Sequence, residues 1–400
     1  MLSVKNPIMT GFFPDPSICR VGNKFYTVHS TFAYFPGVPV FESEDLVHWN
    51  LISNVLDRDS QVPLSGCQHS QGIFAPTIRY HKGTWYMITT NVSDQGNFIV
   101  TAKDPRGPWS EPYYLGESTG GIDPSLFFDD DGTCYYIGQR PRSAGYRYNG
   151  DCEIWIQTLD LDTMQLKPDA TIVLTGFQRK AIWPEGPHLY KKDGYYYILH
   201  AESGTSIHHS VMIARSKNVF GPYEYCPCNP ILTHRHLGAQ YPVTCVGHAD
   251  LVDDGNGNWY MVVLACRPNQ GYTLLGRETF LAKVTWEDGW PVVNAGVGHL
   301  EEVVTLPYEG QPSDDVPQCK TYTFDTPSLP LELLTLRNHR DHELELHAEE
   351  HIVRLFHRCD SLKDCGEPAY LALRQQHWNC EFETSFIPHF CNCLLYTSPS

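Results

Sequence analysis

Basic residues are the scarce class in this 400-residue chain: 29 Lys and Arg stand against 46 Asp and Glu, a formal charge of −17 at pH 7. Phosphate backbones and anionic lipid surfaces are gripped by clustered Lys and Arg, so nucleic acid and membrane are excluded as partners and a neutral ligand is favoured. Long apolar runs are missing too, and no stretch of 18 apolar residues reads as a membrane-crossing helix. The first residues show neither a basic start nor an apolar signal segment, which sets the expectation of a cytoplasmic protein. Capped segments of helical period are absent. Cysteine is not lacking, at 14, but regular cysteine spacing is. Together with the missing signal segment, that points to reduced thiols rather than a disulfide framework. Cys226-Pro-Cys228 and Cys391-Asn-Cys393 each lack a second matched pair, so neither reads as a zinc site.

Aromatics are plentiful, at 12% of the chain with 23 Tyr and 9 Trp, a bias common in proteins that stack on sugar rings. They recur in pattern. Asp15-Pro16-Ser17-Ile18 precedes Phe25-Tyr26, and Ala75-Pro76-Thr77-Ile78 precedes Trp85-Tyr86. Asp123-Pro124-Ser125-Leu126 precedes Tyr135-Tyr136, and Glu185-Gly186-Pro187-His188-Leu189 precedes Tyr196-Tyr197. Gly247-His248-Ala249-Asp250-Leu251 precedes Trp259-Tyr260. Short β-branched and aromatic runs bounded by turns such as Asp193-Gly194 fill the space between. Five such units predict an all-β chain in which residues 1–305 form a five-bladed β-propeller with four strands per blade.

Residues 306–319 read as a linker rich in Pro, Gly and Asp. Period-2 alternation then returns in 343–347 and in 380–386, the start of a separate β-sandwich. Residues 320–400 are too few to complete two packed sheets, so an incomplete sandwich is expected. The last eight residues fit no strand pattern and read as a non-native end.

In a propeller the first strand of each blade lines the central channel, so the repeat heads face one another. Asp15, Asp123 and Glu185 are then expected at one mouth of that channel, with His248 heading the fifth repeat. Carboxylates held close together separate in pKa, which leaves a protonated acid beside an ionised base near neutral pH. That pair is what glycoside hydrolysis needs. A single Asp-Pro-Ser is more often a plain strand cap; three acids at matched repeat positions weigh towards a site. Asp129-Asp130-Asp131-Gly132 is read as a hairpin turn rather than a calcium loop. The pair His208-His209 is placed at a surface or pocket edge, without a role.

Phe13-Pro14-Asp15-Pro16-Ser17, Gly121-Ile122-Asp123-Pro124-Ser125 and Trp183-Pro184-Glu185-Gly186-Pro187 resemble three signatures of glycoside hydrolase family 43. The segments at 72–77, 247–251 and 276–280 are similar to others of that family, and the likeness spans residues 6 to about 385. It is nearest to β-xylosidase and α-L-arabinofuranosidase members carrying a C-terminal concanavalin-like β-sandwich that packs on the propeller. The resemblance implies inversion, with Asp15 as general base, Glu185 as general acid and Asp123 tuning and orienting Glu185. It implies that Arg277 contacts the sugar and the carboxylates, and that Phe32 forms an aromatic wall. Phe74 stands where relatives often carry Trp. His248 is expected to bind substrate or to sit near an axial calcium or water cluster; no cofactor is required, and a structural calcium stays open. The expected activity is release of terminal β-D-xylose from short oligosaccharides, with α-L-arabinofuranosidase side activity. A dedicated arabinofuranosidase, an endo-arabinanase and a non-catalytic carbohydrate-binding propeller are the alternatives. An endo enzyme needs an open groove, whereas the insert at 57–71 is placed to close one. A homo-oligomer is left open.

Overall fold

The computed structural model describes residues 1–116, 120–310, 319–338 and 344–388. Five antiparallel sheets follow one another from residue 17 to residue 293, each running outward in chain order from its first strand. The first strands are Ser17–Val21, Thr77–His81, Ile122–Phe128, Glu185–Lys192 and Thr244–Asp253, and they contact one another in turn around the ring. The fold is therefore the five-bladed propeller expected. Four blades have four strands. The third has a fifth strand, Thr171–Thr175, because its fourth strand Gln165–Leu166 covers only the end of Cys152–Asp160 and leaves an edge to be paired.

Five apolar cores, one between each pair of neighbouring blades, hold the ring. Tyr26, Ile78 and Trp85 fill the first interface, and Tyr86, Leu126 and Trp155 the second. Ile156 meets Leu189 and Ile198 in the third, and Leu199 meets Val263 in the fourth. The fifth closes the circle by packing Ile18 and Phe25 on Val262 and Leu281. Here the N-terminal strand Leu2–Lys5 pairs with Val303–Leu306, and the Asn6 side chain bonds both the N–H and the C=O of Leu281. The aromatic pairs explain themselves in this frame. Successive residues of a strand face opposite sides, so each pair sends one ring into the core on either side of its blade. The third repeat departs from the expected frame: Leu126 pairs with Tyr136, whereas Ile18 and Ile78 pair with Thr27 and Met87. Its hairpin at Asp129–Thr133 is as long as that of the fifth repeat at Asp254–Asn258, but Cys134 stands between the turn and the aromatic pair and moves the pair one residue along the ladder.

A polar belt crosses the axis. Asp250, fully buried, accepts hydrogen bonds from Ser17 Oγ at 2.8 Å, Arg79 Nη1 at 3.0 Å and Tyr190 Oη at 2.5 Å. Arg79 also donates to His188 Nδ1 at 3.1 Å. Thr77 Oγ1 donates to the Pro124 carbonyl and Ser125 Oγ to the Pro187 carbonyl, so every neighbouring pair of first strands is tied. The bonds to Asp250 and from Arg79 are charge-assisted and are the strong ones.

The segment after 319 is attached to the first blade. Thr335–Leu336 pairs with Tyr34–Phe35, and the buried Arg337 donates to the carbonyls of Cys67 and Gly366. The insert at 57–71 packs Val62, Leu64 and Cys67 into the first interblade core, and its Leu64 N–H donates to Asn338. Of the expected sandwich strands, Leu344–His347 is present and pairs with Ile352–Leu355. The alternation at 380–386 makes no strand among the described residues: no ladder partner covers it, and Phe382 and Phe386 stand exposed. The last eight residues lie outside the described ones.

The belt makes a stability prediction. Asp250→Ala strands the Arg79 guanidinium in the interior, and loss of one partner of a buried pair costs about 3–5 kcal/mol. The denaturation midpoint should drop accordingly; an unchanged midpoint would show that the blades do not depend on this pair.

Candidate active site

The heads of the first strands carry the site, and the backbone there is unusual. Asp15, Asp123 and His248 all have left-handed φ, at 53°, 56° and 51°, and Gly186 has 57°. Each lies two residues before a belt residue: Ser17, Ser125, Asp250 and His188. The position equivalent to Asp15 in the fourth repeat is thus Gly186, and Glu185 sits one residue earlier than the repeat frame predicts. Register shifts at Ile122/Ser125, Glu185/His188 and Gly247/Ala249 accompany this backbone. Bulges re-aim side chains, and here they turn them to the channel mouth.

The structure brings all three predicted carboxylates together with His248 and Arg277. Asp15 Oδ1 accepts from Arg277 Nη1 at 2.7 Å, and Asp15 Oδ2 from Ser30 Oγ at 2.7 Å. Asp123 Oδ2 accepts the Gly186 N–H at 3.1 Å. His248 Nδ1 lies 3.9 Å from both Asp15 and Asp123. Gly186 leaves room for the imidazole: a Cβ there would come within 2.9 Å of the His248 ring. Asp15 and Asp123 are buried, while Glu185 is half-buried.

Burial pushes all three carboxyls up, and their surroundings then separate them. On Asp15 it is outweighed by the Arg277 charge, then by His248 and the Ser30 hydroxyl, and the carboxyl falls below the ordinary aspartate value. Glu185 is pushed up to about 8 by burial and then by the charge of Asp15, with Arg277 acting the other way. Asp123 lies well above its ordinary range, through burial and then the charges of Glu185 and Asp15. The result is one carboxyl held below its ordinary value beside two raised above theirs.

Aromatic rings wall the Asp15 side. Phe32 and Phe74 are 5.3 Å apart between centroids, and the Arg277 guanidinium lies 5.1 Å from the Phe32 ring. Phe12, which the sequence reading passed over, joins them at 5.7 Å from Phe32. His209 was also missed as a site residue. It is buried, its Nδ1–H donates to the Cys245 carbonyl at 3.1 Å, and its ring fills the space above Gly247. Its pKa is pushed down to about 3, first by burial, and the charges of His248, Asp15 and Arg277 all reach it. Its exposed neighbour His208 is the surface residue of the pair. The only signals for these two were the doubled letters, Phe12-Phe13 and His208-His209. Among the described residues no group of three or more His, Cys, Asp or Glu side chains is placed to hold a metal ion. Asp129, in the hairpin of the third blade, accepts hydrogen bonds from Lys191 and Tyr196 of the fourth blade.

Residues 4–291 match the family model described as glycosyl hydrolases family 43, and residues 321–388 that of the beta xylosidase C-terminal concanavalin A-like domain. A xylosidase/arabinosidase of Butyrivibrio fibrisolvens is 57% identical over 94% of this chain and 73% of its own length. A non-reducing end alpha-L-arabinofuranosidase of Bacteroides ovatus is 41% identical over 96% of this chain and 71% of its own. The solved xylan beta-1,4-xylosidase of Bacillus halodurans is similar with a TM-score of 0.84 at 39% identity, covering 94% of this chain and 72% of that one.

Gly186 offers a direct check of the site's packing. Gly186→Ala places a side chain at positive φ, which costs about 1–2 kcal/mol, and drives it against His248. The thermal midpoint should fall and turnover should drop; a variant with wild-type stability and turnover would show that His248 has room to move.

Proposed function

This chain belongs to family 43 of the glycosyl hydrolases, and from that premise we propose that it is an inverting exo-glycosidase. It releases terminal β-D-xylose from short xylo-oligosaccharides, with activity on α-L-arabinofuranosides as well. The observation that carries the mechanism is the meeting of three carboxyls at one channel mouth, where Arg277 and Ser30 bond Asp15 and the Gly186 N–H bonds Asp123. Asp15, held as carboxylate by Arg277 and Ser30, takes the proton of a water attacking the anomeric carbon. Glu185, protonated at neutral pH, gives its proton to the departing glycosidic oxygen. Asp123 does not touch the reacting bond. It accepts the Gly186 N–H and so holds the backbone beside Glu185.

Phe12, Phe32 and Phe74 supply apolar faces for the terminal sugar, and Arg277 and His248 supply its polar contacts. Phe74 keeps a platform without an indole N–H, so its contribution is stacking alone. A non-catalytic sugar-binding propeller has no need of three convergent acids with divided proton affinities. The twelve described cysteines are all free, which supports a cytoplasmic setting where imported oligosaccharides are the substrate.

Purified protein should hydrolyse nitrophenyl β-D-xylopyranoside, with α-L-arabinofuranoside as second substrate; activity on neither overturns the reading. The pH profile of kcat/KM should fall on the basic side as Glu185 loses its proton near pH 8. Its acid limb should lie below the ordinary aspartate range, because Asp15 protonates only there. Glu185→Ala should lose several orders of magnitude on xylobiose and far less on an aryl glycoside with a good leaving group. Equal losses on both would contradict the acid assignment.

A further inference from the structure

We propose that Glu278, backed by Arg267, is a positioning residue: it fastens the loop that carries Phe12 and Asp15 to Arg277, and so holds the Asp15–Arg277 contact. The inference rests on the glycosidase reading above. Between Leu2–Lys5 and Ser17–Val21 the chain makes no strand, although it carries Asp15. Its hold on the fifth blade is made at alternate residues. Met9 and Thr279 exchange both backbone bonds at 3.2 Å, and the Phe13 N–H donates to the Arg277 carbonyl at 3.0 Å. Thr279 Oγ1 adds a bond to the Phe13 carbonyl at 2.8 Å. Residue 278 cannot serve through its backbone in the same way. Successive strand residues turn their N–H and C=O to opposite neighbours, and Glu278 pairs with Ala265. Its side chain fills the gap: Glu278 Oε1 accepts the Gly11 N–H at 3.0 Å.

The Glu278 side chain is fixed from behind. Arg267 donates from Nε to Oε2 at 2.7 Å and from Nη2 to Oε1 at 2.8 Å, a two-pronged pair that sets the plane of the carboxyl group. The same guanidinium lies 5.2 Å from the Trp378 ring. Glu278 is fully buried, and Gly11 is buried with it. The far side of Gly11 is closed: at φ 90°, a Cβ there would stand 2.5 Å from the Gln375 carbonyl oxygen. Withdrawing Glu278 would leave the Gly11 N–H a buried donor in a closed space, which the loop can relieve only by moving. Such movement reaches the site directly. Phe12 follows Gly11, its ring resting where a Cβ on Gly276 would meet it at 2.5 Å, and the Arg277 guanidinium lies 5.9 Å from that ring. Asp15 is four residues beyond Gly11, and Arg277 directly precedes Glu278. Base loop and arginine therefore keep one spacing while residues 9, 11 and 13 are all attached.

The test separates reach from charge. Asp15 faces Arg277, Ser30, His248 and His209, with Glu185 and Asp123 across the mouth, while Glu278 faces Arg267, Cys266 and Gly11. Glu278→Asp keeps the charge but is one methylene too short to bond Arg267 and Gly11 together. Glu278→Gln loses the charge and keeps the reach. Glu278→Asp should lower kcat on nitrophenyl β-D-xylopyranoside about tenfold. It should also move the acid limb of kcat/KM to higher pH, because a loosened Arg277 no longer holds Asp15 down as far. Glu278→Gln should keep most of the wild-type kcat, with the limb no higher than in the wild type. Both substitutions leave a hydrogen-bonding side chain in place, so both should fold, and the position of a limb does not depend on the folded fraction. A merely structural ion pair gives the reverse order, with loss in Glu278→Gln, little in Glu278→Asp and the limb unmoved in both. That order, or a wild-type limb in Glu278→Asp, overturns the inference while the glycosidase reading stands. A wild-type protein inactive on both xylosides and arabinofuranosides removes the glycosidase reading and this inference with it.

Discussion

The buried carboxylate of Asp250 is the fixed point of this molecule. It gathers the first blade through Ser17, the second through Arg79 and the fourth through Tyr190, while itself belonging to the fifth. A charge so far from water is tolerable only when several donors replace its hydration, and those donors come from different blades. The pair therefore does more than close the channel. It sets the azimuth of the first strands, and each active-site head lies two residues from a belt residue. An error in the belt would pass directly into the spacing of Asp15, Asp123 and His248.

Strain is concentrated at the same level. Asp15, Asp123 and His248 adopt a left-handed backbone that L-residues pay to enter, and Gly186 takes the equivalent place where the imidazole of His248 comes close. A regular strand would point alternate side chains into the flanking interblade cores. One left-handed residue with a bulge breaks that alternation and turns the side chain to the channel mouth. The apolar interfaces outside, each built from several fully buried residues, supply the stability against which this distortion is held.

The propeller and the three carboxylates were legible because repetition exposes them: one small motif, five times, with ionisable residues at its head. What escaped was whatever depends on a shift of one residue. The third aromatic pair sits one residue later in its ladder, after Cys134, and Glu185 precedes the true head because Gly186 had to occupy it. Letters alone cannot tell a strand residue from its neighbour when a bulge lies between them. Phe12 and His209 escaped for another reason, since their place in the site comes from packing between distant segments. The alternation at 380–386 shows the converse error: a strand pattern without a ladder partner makes no strand among the described residues.

The asymmetry of the three acids comes down to Arg277. Burial raises all three carboxyls, and burial alone would not tell them apart. Arg277 bonds Asp15 directly and reaches Glu185 and Asp123 only through space, so its charge is spent unequally. Asp15 becomes the carboxylate, and its negative charge is then among the causes that raise the other two. One cation thus both lowers the base and, through the base, keeps the acid protonated. Each state requires the other, because an ionised Glu185 would push up Asp15 just as Asp15 pushes up Glu185. The proposed base and acid are told apart by a single contact at 2.7 Å, made by a residue from the fifth blade.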